Sequence, residues 1–461
     1  MSLDLYRTEY AKARVRRPPN EPAALAERRE QALSRFLELG FPTTRHEEWR
    51  FTSVAPIADQ AFALAAPPTA ACPVDVDPFR FHGVCAAELV FVDGYYAPSL
   101  STRAALLGGA RAGSLAAAIA GRVAEVEPHL ARVALFERAP FVALNTAFFA
   151  DGAFVHVPAH TVLEHPVHVL FVSTGGNGHN AVRASGPPSQ HWPAGSQGEP
   201  ALMSHPRVLA VLGDNSQASI VETYAGPEGA RYFTSPVTEI VLGQNAVLDH
   251  YKLQRESAEA YHVGSIYLRT ARSANCASHS VSLGGALVRN DVMAVLGGEG
   301  GECTLNGLYL ADRQRHVDNH TTIDHAMPHC GSREMYKGIL AGRARGVFNG
   351  KIIVRPDAQK TDAKQTNRAL LLSEDAQINS KPELEIFAND VKCTHGAAVG
   401  QLDEDAVFYL RSRGLGLAEA RHMLIHAFLG DVLQRMPLAP VREGIEMVVG
   451  RQLAHALEAA A

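Results

Sequence analysis

The sequence predicts a mainly β protein with helical segments at both ends, and three features carry that reading. From about Asp151 onward, short apolar runs rich in Val, Ile and Tyr follow one another, separated by Gly, Asn and Asp. No helical pattern comes between those runs, as stacked strands require and crossover helices would not allow. The two ends instead carry apolar residues at helical spacing.

The elements follow in chain order. The first forty residues predict helix, with Pro22 in a first-turn position and Leu25, Ala32, Phe36 and Leu37 on one side. Gly40 is the stop. An Ala- and Pro-rich loop covers Ala65 to Pro78, a strand is expected over Leu89–Val92, and an Ala-rich helix over Ser114 to Val133. The β runs are Val208–Leu212, Ser219–Tyr224, Val237–Leu242, Ala246–Leu253, Val263–Leu268, Val292–Leu296, Leu305–Leu310 and Val347–Val354. Their period suits a solenoid and suits a sandwich or barrel nearly as well. The Gly-, Pro- and Ser-rich insert from Thr174 to Pro200 is expected to be a surface loop.

Helix returns after Gly400. Asp403 is placed to cap a helix running to Arg413, and Gly414 ends it. A second helix from about Leu417 to Met436 carries the stripe Ile425, Phe428, Leu429, Val432 and Met436, and Pro437 stops it. A third has Val441, Ile445, Val449, Leu453 and Leu457 at four-residue steps. Such stripes pack on the body of their own chain or face a partner. The division expected is a mostly helical span over 1–150, a β core over 151–400 and a helical span over 401–461.

Composition narrows the function. The chain has 461 residues, enough to bury a large core without disulfides or metal. A net charge of −5 gives no basic footprint, so nucleic acid is not an expected partner. No run reaches the roughly 18 apolar residues of a membrane span. Met1 to Asn20 is peppered with charges and unlike a signal peptide, so the cytoplasm is the expected compartment. The six cysteines, Cys72, Cys85, Cys276, Cys303, Cys330 and Cys393, lie far apart and read as thiols, packing groups or ligands.

Most motif-like stretches fail on spacing. His46-Glu-Glu-Trp-Arg50 begins like a zinc-protease helix but has Arg50 where the second histidine belongs. Gly346-Val-Phe-Asn-Gly-Lys-Ile352 is one residue short of a phosphate-binding loop and lacks its Ser or Thr, so no ATP site is expected here. Gly297–Gly301 lacks both lysine and dinucleotide spacing. Ile240–Leu248 resembles a single coil of a hexapeptide-repeat acyltransferase, a pattern its neighbours do not sustain. His316, His320, His325, His329 and Cys330 crowd into fifteen residues. They read either as metal ligands or as polar rungs hydrogen-bonding along stacked strands, and strand alternation explains the spacing without a metal. Cys393-Thr-His395 places a thiol and an imidazole on one side of an extended segment, good ligands for iron or an iron–sulfur cluster. Two ligands leave such a site incomplete, so others must come from sulfide or a partner.

The residues around that pair resemble the shared core of the SufB/SufD family of iron–sulfur cluster assembly proteins. The likeness runs through Met335–Leu340, Arg345–Val354, Ala358–Ala363, Gln365–Ser373, Lys381–Gly396 and Phe408–Gly414, and Arg45–Thr52 resembles an N-terminal family motif. Lys381 stands where the SufB branch has its sulfur-accepting cysteine, and Gly396 where that branch has a glutamate. The N-terminal cysteine motif of SufB is absent as well. The resemblance is therefore to the SufD branch.

It implies a right-handed parallel β-helix core between N- and C-terminal helical domains. It also implies a scaffold subunit rather than an enzyme, paired with SufB through the β-helix end. The ATPase SufC would dock on the C-terminal helices, for which Phe408, Ile425, Phe428, Leu429, Val432 and Met436 are the docking residues expected. His395 and, after it, Cys393 match positions that hold transient iron or a nascent cluster at the SufB junction. Reduced flavin would belong only to the assembled complex, and the likeness admits a homodimer of the isolated chain. The rival class is a β-helix enzyme acting on polysaccharide, which would group carboxylates on an exposed sheet face.

Overall fold

From Val237–Leu242 onward, consecutive strands of this chain go to opposite sheets and pair with the strand one winding away. The strand His316–His325 lies between Leu287–Leu296 and Arg345–Val354, all parallel. Gly331–Leu340, between them in sequence, sits in the other sheet between Glu302–Ala311 and Asp362–Leu371. The result is a parallel β-solenoid, and the choice between solenoid and sandwich is settled by the parallel pairing of each core strand with the strand one winding away. This is a computed structural model. It describes residues 3–17, 20–68, 75–103, 106–175 and 200–459, with the side chains of 103 and 454–459 excepted. The expected loop over 174–200 falls, apart from its ends, outside the described residues, as does Cys72.

Alternation builds the core. In Arg345–Val354, Phe348, Ile352 and Val354 are buried while Lys351 and Ile353 are only half-buried. Stacking such strands in register gives one long apolar column, from Leu89, Val155 and Val169 through Cys276, Cys303 and Cys330 to Tyr336 and Phe348. One corner of the solenoid repeats a left-handed residue at every winding: Asn215, Asn245, Ser273, Gly300, His329 and Lys360. Each backbone N–H at this corner donates to a carbonyl one turn on, as in Asn245 N to Arg272 O at 2.9 Å and His329 N to Gln359 O at 2.9 Å. Short polar residues and glycine tolerate that conformation best.

Helical segments cover both outer faces. Asp4–Val15, Ala23–Leu39 and Pro140–Phe148 bury Tyr6, Tyr10, Phe36, Phe141 and Phe148 with Trp49 against Val237, Val263 and Leu287 of one sheet. The first forty residues thus form two helices, the second ending at Gly40 with φ 63°. The predicted helix over Ser114–Val133 is shorter than expected, spanning only Leu115–Ala120. The turns beyond it are gathered by the buried Glu239 carboxylate, which accepts from the N–H groups of Ala131, Val133 and Ala134 at 2.8–3.0 Å. Arg207, also fully buried, pairs with that carboxylate at 2.6 Å. Pro140–Phe148 is buried on every side and so shows no amphipathic stripe in sequence. Ala87–Val92 pairs with Val167–Val172 and Arg111–Ser114 with Gly152–Val157, so the span up to residue 150 holds strands built into both sheets.

The C-terminal helices are Glu404–Ser412, Leu417–Leu433 and Ala439–Ala459. Asp403 caps the first, accepting from Asp405 N at 3.0 Å and Ala406 N at 3.3 Å. Ile425, Leu429, Val432 and Met436, followed by Val441, Ile445, Val449 and Leu453, are buried against Val221, Tyr251, Leu253, Val281, Leu308, Leu310 and Ile339 on the other sheet's outer face. The side chain of Leu457 is outside the described residues. Lys337 fastens the second helix by donating to Phe428 O at 2.5 Å and to Asp431 at 2.7 Å, with its ammonium 4.5 Å from the Phe428 ring centroid. No described helix is long and apolar enough to cross a membrane.

Candidate functional site: the open end of the solenoid

Both sheets stop at the same winding. Gln377–Ile386 pairs only with Arg345–Val354, and Lys392–Gly400 only with Asp362–Leu371, so each leaves one edge without a neighbour among the described strands. Pro382 sits within the first of these strands, where a missing N–H is tolerated only on an open edge. No helix or loop caps the rung among the described residues: Phe387 is 62% exposed and Val399 51%.

Cys393 and His395 lie on this last rung, two apart, on the face that continues the solenoid interior. Cys393 partners Ala363 in register, and the same inward column runs back through Ser332 to Cys303 and Cys276. The Cys393 side chain packs beside Ile352, Val354 and Ala388, and this burial pushes its thiol up, keeping it protonated at neutral pH. His395 partners Gln365, which partners Glu334. Gln365 donates to Glu334 at 2.7 Å, and burial pushes that carboxyl up to about 7. His395 itself is exposed.

The histidine cluster disperses. His316 and His320 lie on the outer face of their strand and fix the 45–52 segment: His316 meets Thr52 at 2.9 Å, and His320 lies 3.4 Å from Glu48. Asp318, between them and fully buried, accepts from Thr52 at 2.5 Å and from Arg289 at 2.8 Å. The Arg289 guanidinium stacks 3.7 Å over Trp49. His325 points inward to Ser332 at 3.0 Å, His329 occupies a left-handed corner, and the Cys330 thiol lies 3.3 Å from Gly298 O. No three His, Cys, Asp or Glu side chains among the described residues converge on a metal position. His316, His320 and His325 bond to the 45–52 segment and to the opposite sheet rather than to one another along their own stack.

The expected docking stripe needs correction. Ile425, Leu429, Val432 and Met436 are covered by their own chain, and Phe428 is half-buried beside Lys337. An apolar stripe buries itself on the nearest apolar face, and sequence does not tell an intramolecular face from a partner's. Of the six, Phe408 alone projects fully, 73% exposed, with Tyr409, Leu417 and Met423 exposed on the same pair of helices. Lys381 faces outward and bridges Glu383 at 2.8 Å and Glu47 at 2.9 Å, contacts that hold its ammonium charged. Sequence reasoning missed Glu334 and Gln365, whose meaning appears only in the register. Pro382 was the available sign of an edge strand.

The chain is a parallel β-solenoid flanked by helices, and its open last rung carries a thiol and an imidazole. A model of the SUF system FeS cluster assembly SufBD core domain matches residues 194–428, and one of the SufBD protein N-terminal region matches 3–169. An iron–sulfur cluster assembly SufBD family protein of Synechocystis is 32% identical over 438 residues, 93% of this chain and 91% of that protein. The iron–sulfur cluster assembly protein SufD of Escherichia coli is 30% identical, covering 92% of each chain, and SufD of Bacillus subtilis 27% identical over 68% of this chain and 66% of its own. The chain belongs to the SufB/SufD family of iron–sulfur cluster assembly proteins.

Proposed function

We propose that this chain is the SufD-type scaffold subunit of a cytoplasmic SUF complex. In this reading it pairs with SufB through its open end, binds the ATPase SufC through the exposed side of its C-terminal helices, and lends His395 and Cys393 as ligands to iron or a nascent cluster at the SufB junction. The observation that carries the reading is the uncovered last rung. Two sheet edges left open at one winding are a template for continuing pairing, and natural proteins cover such edges. Phe387 and Val399 beside them add apolar area to be buried by the partner.

The chemistry of the rung fits the same role. Iron and its clusters take thiolate and imidazole ligands, and four positions must be filled. Cys393 and His395 supply two, so the others come from SufB or from sulfide, and the bound metal would draw the proton from the Cys393 thiol. The iron and sulfide are cargo here. The driving ATPase step is assigned to SufC, because Gly346–Lys351 is a strand within the sheet, with Gly350 opposite the Gln365 side chain, and not a phosphate loop. Any reduced flavin is likewise assigned to the assembled complex. Family membership stands against the polysaccharide-enzyme alternative.

Capture of the tagged full chain from its own host tests the partners. The wild-type chain should bring down SufB and SufC, and Phe387→Asp combined with Val399→Lys should lose SufB while keeping SufC. Parental amounts of SufB on that double variant would overturn docking through the open end. Capture of neither subunit by the wild type would overturn the scaffold reading.

A further inference from the structure

We infer that Gln365, backed by Glu334, is a positioning residue that holds the His395 imidazole in a single tautomer and orientation, leaving its other ring nitrogen directed out of the open end. The bearing of this on iron rests on the half-site proposed above, but the tautomer itself does not.

Three observations carry it. Glu334 pairs in register with Gln365, and Gln365 with His395, so the three side chains occupy successive steps of one inward-facing column, about 4.8 Å apart at the backbone. Gln365 Nε2 donates to Glu334 Oε2 at 2.7 Å. With Glu334 ionised, that contact fixes which end of the amide is which, because a carboxylate accepts and cannot donate. Gln365 Oε1 is then the free end, and it is buried without a hydrogen-bond partner among the described residues.

A buried carbonyl oxygen seeks a donor, and the next position of its column is His395. Of the ring's two nitrogens, the neutral imidazole has one N–H to give and one lone pair for a metal. A histidine that binds metal through one nitrogen commonly donates the other N–H to a carbonyl or carboxylate, which sets tautomer and ring angle. Room for the amide is built into the opposite sheet. A Cβ at Gly350 would lie 2.3 Å from Gln365 Nε2 and 2.8 Å from Gln365 Cδ, so any larger residue there would displace the side chain. The column is short, because Leu305 is the register partner of Glu334 on its inner side. The support is therefore two residues deep and serves the terminal rung alone.

The test is imidazole nitrogen NMR on the full chain labelled with ¹⁵N-histidine. His395 is identified as the signal missing from His395→Gln. The spectra are recorded at about pH 8.5, on the alkaline side of the general histidine range. One ring nitrogen should then resonate as protonated and the other as bare. Gln365→Leu should collapse this separation toward an averaged pair, and Gln365→Asn, with its shorter reach, should do the same. Glu334→Gln can donate as well as accept, so it frees the Gln365 amide to flip and should weaken the separation. A mixture of tautomers in the wild-type chain overturns the inference whether or not a variant folds, and so does an unchanged spectrum in folded Gln365→Leu. A locked ring together with iron content indifferent to His395 would leave this inference standing and remove the half-site reading. The opposite pair of results would do the reverse.

Discussion

Replacing Asp318 by Asn should destabilise the chain by about 3 kcal/mol, the lower end of the range for breaking a buried ion pair. Asp318 is fully buried and meets Arg289 at 2.8 Å and His320 at 3.1 Å, while Thr52 donates to it at 2.5 Å. Burial alone would raise its pKa, but the charges of His320 and Arg289 outweigh burial and hold the carboxyl well below the usual range. Burial likewise works against charge on His320, yet Asp318 overrides it and lifts the imidazole to about 9. A histidine held at about 9 rather than ~6.5 contributes on the order of 3 kcal/mol, complete below about pH 6.5 and lost as pH rises through 9. The depressed Asp318 acts oppositely, contributing above about pH 4 and failing in acid. Denaturant unfolding followed by Trp49 fluorescence at pH 6.5 and 9.5 separates these effects, since Trp49 is packed under Arg289. The wild type should lose more stability than Asp318→Asn across that interval. Groups outside the cluster, such as Lys252 lowered to about 8 by burial, cancel in the comparison. A variant within about 1 kcal/mol of the wild type, with the same pH dependence, would refute the reasoning.

Leu429→Ala removes a buried side chain from the layer between the second C-terminal helix and the sheet and should cost about 2–5 kcal/mol, read as a lower unfolding midpoint. Phe408→Ala changes an exposed ring, so it should leave that midpoint unchanged and weaken retention of SufC in tagged-chain capture. Equal SufC retention would move the dock away from the first helix. The purified chain alone should hydrolyse no ATP, and turnover persisting after complete removal of partner ATPase would contradict the assignment of that step to SufC.

How far the sequence could be read follows from the physics of each element. The runs Val237–Leu242 and Val347–Val354 declare themselves because inward apolar residues alternate along them. Asn275–Ser282, with its Ser and His residues, does not, because polar side chains are buried on both of its faces: Ser278 meets His250 at 2.9 Å, and His279 stacks on Tyr251. The alternation of sheets depends on pairs such as His316 with Arg345, and no local pattern encodes pairing across a winding. Cys393 and His395 were visible as a pair two apart. Their place on an open rung came from topology, with Pro382 the one local sign. The stripe from Ile425 to Met436 was correctly seen as apolar, but its partner was the chain's own outer face.

The central claim is that the open rung supplies part of a cluster site. Iron and acid-labile sulfide measured in the complex purified with His395→Ala, alongside its subunit stoichiometry, test it most directly. His395 is exposed on the terminal strand and takes no part in the core, so the variant should fold and assemble with SufB and SufC at normal stoichiometry. Its iron and sulfide should fall to background, with Cys393→Ala showing a smaller loss, since sulfide or a SufB thiolate replaces a sulfur ligand more readily than a positioned imidazole. An intact His395→Ala complex that accumulates clusters at the parental level would contradict the account.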